Sequence, residues 1–152
     1  MKKRLIAAAS ICLFSVAAAG AMEHDHGKGK KAVVDERSEL KLPDSMKVMQ
    51  KTMMRKHLAT VAEITASIAA NDLKGASEIA RERLGWSAEE EKKCSNVSTL
   101  TGEPDFLGFG MALHKQADAL ADAAGKGDRD KALAELSELI TRCNACHERF
   151  RH

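Results

Sequence analysis

The stretch that decides the fold is Ala121–Arg151, with the sequence ADAAGKGDRDKALAELSELITRCNACHERFR. It contains the end of one apolar-periodic segment, a Gly-Lys-Gly turn at 125–127, and a second periodic segment that begins after Asp128. Asp is a preferred N-cap residue, and glycine is common just after a helix end. The second segment has one stripe at helical spacing, made of Leu133, Leu136, Ile140, Cys143 and His147. These features predict two helices joined by a short turn, with the last helix running to about Arg151 and its stripe facing a bundle interior.

The end of this stretch contains the motif Cys143-Asn144-Ala145-Cys146-His147, a Cys-x-x-Cys-His pattern that is the attachment signature of c-type haem. One helical turn separates the two thiols, which suits addition to two neighbouring vinyl groups of a porphyrin. The imidazole of His147 can then ligate the iron. A redox dithiol needs a βαβ context and a zinc site needs a second ligand pair, and the sequence has neither. The motif therefore predicts one covalent haem c per chain, with any sixth iron ligand coming from upstream.

The chain upstream has the same 3.6-residue periodicity, and no stretch alternates as a strand would. Residues 87–94 can add a short helical extension, whereas 95–104 (SNVSTLTGEP) is rich in turn-forming residues and is predicted to be a loop. The fold class is therefore all-α, an antiparallel up-down-up-down four-helix bundle with a C-terminal haem-attachment helix, over residues 43–152. The four helices are predicted at about 45–70, 72–84, 104–124 and 128–151.

The N-terminal residues 1–21 have the features of a cleavable signal peptide. Three cations at Lys2–Arg4 precede an apolar stretch, and Ala19-Gly20-Ala21 offers a cleavage site. An uncleaved anchor is the alternative, but the apolar stretch is short for a membrane span. We therefore expect a periplasmic protein without a membrane segment after cleavage. Residues 22–42 are polar and are predicted to be a flexible tail, in which His24 and His26 are solvated rather than metal-binding.

Charge and cysteine content exclude other classes of protein. Without the three cations of the signal, the chain has 21 Lys and Arg against 22 Asp and Glu, a net charge of −1. A nucleic-acid footprint is therefore not expected. Three cysteines remain after the signal, and an odd number argues against a disulfide framework. Two of them belong to the haem motif, which leaves Cys94 without an assigned role.

A Cys-x-x-Cys-His motif on the last helix of a four-helix bundle resembles the class II cytochromes c, the cytochrome c′ family. The similarity is densest over Ala121–Arg151 and extends to helix one through MKVMQKTMMRKHLATVAEITASIA. Residues 85–105 match poorly, and Cys94 is outside the family pattern. The resemblance implies a possible homodimer through the first two helices. It also implies that Arg151 lies beside the proximal histidine, on the same helix face, where it can pair with a haem propionate.

The sixth ligand divides the family, and the resemblance puts the distal position at Met54. Low-spin members have a methionine there and transfer electrons, whereas high-spin members leave the site open to small gases. At 100° per residue, Met54 lies about 40° from the centre of the helix-one stripe and Met53 about 60° on the other side. His57 lies nearer the centre. Three possibilities stay open at this point, namely Met54, His57 and no sixth ligand, and Met54 can equally be core filler.

The function that these features favour is single-electron transfer with redox partner proteins of the periplasm, with His147 and Met54 as iron ligands. The alternative is a five-coordinate protein that binds nitric oxide or carbon monoxide. We do not expect an enzyme, because the sequence offers no distal acid–base pair. Arg142 is a second propionate candidate, Phe150 is expected to pack beside the haem, and a structural role is expected for His114.

Overall fold

A computed structural model describes residues 34–152 of the protein. This part of the chain forms five helices and one pair of very short strands. The elements in chain order are β1 Ser38–Glu39, α1 Asp44–Ala69, α2 Leu73–Leu84, α3 Ala88–Thr101, α4 Asp105–Gly125, α5 Arg129–Arg149 and β2 Phe150–Arg151.

The helices α1, α2, α4 and α5 form the predicted four-helix bundle. Helix α1 packs on α2, α2 on α4, and α4 on α5, whereas α1 and α5 meet over a short stretch only. Short turns join α1 to α2 and α4 to α5, so these neighbours run antiparallel. The all-α bundle prediction is confirmed, and the weak contact between α1 and α5 leaves one side of the bundle open.

Side-chain caps set the starts of three helices. Asp72 accepts a hydrogen bond from the Gly75 amide at the start of α2, and Asp128 accepts one from the Lys131 amide at the start of α5. Ser87 does the same for Glu90 at the start of α3. Each cap satisfies an amide that the helix itself leaves unpaired, which contributes roughly 1 kcal/mol. The capping residues predicted from sequence for α5 are therefore used as expected.

The predicted loop over 95–104 is wrong, because helix α3 continues through much of it. The helix continues to Thr101, and Gly102 ends it in the left-handed conformation, with φ 72°. Cys94 and Val97 are buried on its inner face. Gly110 of α4 lies so close to the Cys94 side chain that a Cβ there would collide with it. Burial against α4 thus keeps this polar segment helical, although its Ser and Asn residues favour turns locally.

The segment before α1 corrects the predicted flexible tail. The tail prediction covered 22–42, of which residues 22–33 lie outside the described part of the chain. In the described part, Ser38–Glu39 pairs in parallel with Phe150–Arg151, and the Leu40 amide donates to the Arg151 carbonyl at 2.8 Å. Leu40 and Leu42 are 2% and 5% exposed. We call Asp35–Leu42 the N-terminal strap, because it holds the C-terminal segment that follows α5.

The core has two parts. The larger part lies among α1, α2, α4 and α5 and is rich in alanine, which lets the helix axes approach closely. The smaller part joins the strap to α3, α4 and β2 and consists of Leu40, Leu42, Cys94, Val97, Phe106 and Phe150. No helix in residues 34–152 has the length and apolar character needed to cross a bilayer.

Candidate haem site

A cavity of about 170 Å³ opens where the first half of α1 faces the end of α5. It lies at the end of the bundle where α1 begins, α5 ends and the two helices barely touch. Four of the five predicted site residues line this cavity, and the exception is Cys143. The lining residues are Arg37, Leu40, Gln50, Met54, Phe106, Cys146, His147, Phe150, Arg151 and His152.

The two motif cysteines lie one turn apart in the last two turns of α5, and both are partly buried free thiols. Burial raises the pKa of Cys146 to about 11, with smaller contributions from the Cys143 and Cys94 thiols. Burial also raises the pKa of Cys143. A redox-active dithiol has a lowered pKa instead. Both thiols are therefore neutral at pH 7, which argues against a redox-active dithiol at this motif.

His147 lies in the last turn of α5, with its side chain at the cavity and largely exposed. The Arg37 guanidinium of the strap donates a hydrogen bond to the His147 carbonyl at 3.2 Å. That carbonyl is one of the unpaired groups at a helix C-terminus, where a cation is favoured. The strap therefore stabilises the turn of helix that carries the predicted proximal ligand.

The two competing candidates for the sixth ligand occupy different places. Met54 lines the cavity with Cys146 and His147. The His57 ring instead packs edge-on against the His114 ring of α4, at 5.6 Å between centroids. Its Nδ1 is buried without a hydrogen-bond partner. Burial, with a smaller effect of His114, lowers the pKa of His57 to about 4. His57 is therefore a neutral imidazole directed toward α4, and it is not among the cavity-lining residues.

Arg151 lines the cavity, but it does not share a helix face with His147 as predicted. Helix α5 ends at Arg149, and Arg151 lies in β2 because pairing with the strap extends the backbone there. Its guanidinium lies 3.7 Å from Asp35 and 3.5 Å from Glu39, both on the strap. The Nε atom is buried without a hydrogen bond. Arg151 therefore lies at the cavity, where it could meet a propionate, but its guanidinium already faces two carboxylates of the strap.

The remaining candidate residues in the described part of the chain are Arg142, Phe150 and His114. Arg142 pairs with Glu138 at 2.6 Å on an exposed face of α5 and does not line the cavity. Phe150 is buried and packs against Phe106 and Phe109, so the prediction that it lies at the site is consistent with its position. His114 is buried, and its Nδ1 lies 2.7 Å from the Leu84 carbonyl, as a structural histidine would. His24 and His26 lie outside the described residues.

The predicted inward stripe of α5 is only partly right. Leu136 is buried, but Leu133 and Ile140 are 43% and 44% exposed. Helix α5 packs on the core through Ala132, Leu136 and Leu139 instead. Ile140 shares a face with Cys143 and His147, at three and seven residues. This face is turned away from the core and leaves apolar surface uncovered next to the motif thiols.

These observations fit a haem. Two free thiols one turn apart, an imidazole at the cavity wall, a partly exposed Ile140 and the guanidinium of Arg151 match what a covalently held porphyrin with acidic side groups requires. The cavity also includes residues that the sequence reasoning missed, of which Arg37, Leu40, Gln50 and His152 are the clearest. The alternation in Ser-Glu-Leu-Lys-Leu over 38–42 was a strand signal that could have found the strap.

The fold and the site together define a c-type haem protein on a helical bundle. Comparison with protein families agrees, because the family model described as cytochrome C′ matches residues 33–151. No curated protein and no solved structure matches the chain. The chain belongs to the cytochrome c′ family and carries one covalently bound haem c. The homodimer, the periplasmic location and the absence of catalysis stay predictions.

Proposed function

We propose that this cytochrome transfers single electrons in the periplasm, with His147 and Met54 as its two protein ligands to the iron. When bound, the haem supplies a metal that accepts and gives up one electron. The chain supplies an imidazole from α5 and a thioether from α1. A methionine ligand favours the reduced state and so raises the potential. As a carrier, the protein would catalyse no bond chemistry.

The single observation that supports this assignment is the position of Met54. Met54 lines the same cavity as Cys146 and His147, while His57 is packed against His114. The thioether of Met54 therefore already lies at the cavity, which supports its role as a ligand without repacking of the bundle. Recruitment of His57 would require it to leave its contact with α4. The cavity wall also contains Leu40, Phe106 and Phe150, and such apolar surroundings favour the ligated, water-free state.

Substitution Met54→Ala tests the ligand. We expect the purified holoprotein to lose its low-spin spectrum, including the weak ferric band of sulfur ligation, and to bind carbon monoxide in the ferrous state. The matched control is Met53→Ala on the same turn of α1, whose spectrum should stay unchanged. An unchanged low-spin spectrum in Met54→Ala would exclude Met54, and the same spectra recorded on His57→Ala would then test the second candidate.

The second candidate function is binding of nitric oxide or carbon monoxide at an open sixth position. One observation favours it, because Gln50 is 5% exposed and lines the cavity one turn before Met54. A buried amide there could donate a hydrogen bond to a diatomic ligand. A high-spin spectrum of the unmodified protein, together with carbon monoxide binding that weakens in Gln50→Leu, would favour this function over electron transfer.

The periplasmic part of the proposal comes from the sequence of residues 1–21. Cleavage after Ala21 leaves Met22 as the first residue. The mass of the protein isolated from the periplasmic fraction of an exporting bacterial host tests this directly. A full-length mass with the haem attached would instead favour an uncleaved anchor.

A further inference from the structure

We propose that the residues Lys47, Lys51 and Arg55, here called the cationic rim, form a docking surface for an acidic patch on a redox partner protein. The inference rests on the proposed electron-transfer function and adds to it the chemistry of the partner. The rim lies on α1, the helix that contributes Gln50 and Met54 to the cavity wall.

The rim lies next to the cavity by helical geometry. Lys47 and Lys51 lie within about 60° of Met54 around α1, and Met54 is a cavity residue. His152 lines the cavity from the C-terminal segment. Burial lowers the pKa of His152, and the next contributions come from Lys51, His147 and Lys47. The two lysines of α1 are thus close enough to act on a residue of the cavity wall.

The charges of the rim are not neutralised by the fold. In residues 34–152, no carboxylate lies within ion-pair distance of Lys47, Lys51 or Arg55. Arg55 reaches only the Thr52 hydroxyl, at 3.5 Å. The positive potential of this stripe is therefore available to a partner.

Several cations on other helices are paired instead. Lys74, Lys131 and Arg142 each pair with a glutamate four residues away on the same helix. On α1 the residue four positions after Lys47 is Lys51, and four positions later is Arg55. Like charges at this spacing repel and destabilise a helix. The α1 stripe therefore opposes helix stability, which indicates that another requirement placed these cations beside the cavity.

The small net charge of the chain makes local charged patches important for the orientation of a partner. The chain after residue 21 is nearly neutral, with 21 Lys and Arg against 22 Asp and Glu. Long-range attraction by net charge is thus weak, and orientation depends on local patches. A cationic rim at the haem cavity would align a carboxylate-bearing surface with the site of electron exchange and would raise the association rate at low salt.

Electron exchange with small charged probes tests the rim on the holoprotein. The rim variant is Lys47→Glu with Lys51→Glu. The control is Lys126→Glu with Arg129→Glu, which makes the same charge change at the turn between α4 and α5, where neither residue has an ion pair in the described chain. In stopped-flow oxidation of the ferrous protein, hexacyanoferrate(III) takes one electron and becomes hexacyanoferrate(II). We expect the rim variant to react roughly tenfold more slowly at low ionic strength.

The same variants are compared with a cationic cobalt(III) tris-phenanthroline complex, which should react faster with the rim variant. High salt should remove both differences, because it screens exposed charges beyond about 10 Å. Equal rate changes in the rim variant and the control would overturn the proposal, since net charge alone would then explain them.

A binding measurement separates the rim from the electron-transfer function. Titration calorimetry of the oxidised protein with poly-L-glutamate needs no electron exchange. Binding that is lost in the rim variant and kept in the control supports the docking surface, even if the spectra refute a methionine ligand. Absence of polyglutamate binding, with rim-dependent binding to phosphatidylglycerol vesicles, would overturn the proposal in favour of a membrane surface.

Discussion

The two ends of the bundle differ in what fills them. At the turn end, where α1 meets α2 and α4 meets α5, the helices pack through small side chains such as Ala76, Ala121 and Ala124, all nearly inaccessible. At the haem end, α1 and α5 separate, aromatic rings replace the alanines, and polar groups such as Gln50 and His114 are buried. The turn end is therefore closed by protein alone, whereas the haem end is built around a space and held by the N-terminal strap.

This difference implies that the two ends of the bundle have different roles. Close-packed alanine and leucine contacts stabilise a bundle without any cofactor. A half-open end with uncovered apolar surface gains its remaining stability when a ligand covers that surface. We therefore expect the turn end to control global unfolding, and the haem end to control the spectrum and the local dynamics of the site.

The largest effect on stability is expected from Leu120→Ala at the turn end. Leu120 is fully buried, so its truncation leaves a cavity and should lower the free energy of unfolding by about 3 kcal/mol. The measurement is denaturant unfolding of the holoprotein. Leu133→Ala is the matched control, because Leu133 is 43% exposed and should lose about 1 kcal/mol or less. A changed haem spectrum in Leu120→Ala would show that the two ends are not separable.

The second effect is a pH dependence of folding stability that comes from His57 at the haem end. Burial holds the pKa of His57 at about 4, below the value of 6.5 for a free histidine. Between these values the unfolded chain binds a proton that the folded chain does not, so stability falls as pH falls from 6.5 to 4. The loss is at most about 3 kcal/mol. Unfolding curves at several pH values measure it.

The control for this pH dependence is His57→Leu, which keeps the volume and removes the titrating group. Its stability should vary less over the same pH range than that of the unmodified protein. Identical pH profiles for the two proteins would mean that the packing of His57 against His114, with Glu90 and Lys93 nearby, does not hold the imidazole neutral.

A smaller effect is expected from Leu40→Ala in the strap. Leu40 is 2% exposed, but it belongs to a short segment that can open locally, so we expect a loss of about 2 kcal/mol. Hydrogen exchange of the Leu40 amide, which donates to the Arg151 carbonyl, should become faster. Lys41→Ala, on the exposed side of the strap, should leave that exchange unchanged. An unprotected Leu40 amide in the unmodified protein would contradict the strap.

Prediction from sequence succeeded where local chemistry is decisive. Helical periodicity and caps such as Asp128 gave four helices close to their observed bounds. It failed where burial by distant residues outweighs local preference. The segment after Cys94 stays helical because α4 covers it, and Leu40 is buried because a strand pairs with the far end of the chain. Neither contact can be read from the residues adjacent in sequence.

The candidate site divides in the same way. Cys143, Cys146 and His147 are predicted from spacing alone, because two thiols and an imidazole within five residues already meet the requirements of covalent attachment. Periodicity also limited the facing residues of α1 to one stripe. Periodicity cannot show which neighbouring helix each side of that stripe contacts. Only the tertiary structure shows that His57 contacts His114 of α4 and that Met54 lines the cavity.

The sequence by itself therefore determined that this is a helical bundle with a haem on its last helix, since helix periodicity and motif spacing are local properties. The tertiary structure decided which side chains line the cavity, how the strap brings Arg37 to the carbonyl of His147, and where the cations of α1 lie relative to the cavity. These are relations between distant segments, such as Arg37 and His147 at 110 residues apart, and they depend on how the helices pack rather than on where each helix begins and ends.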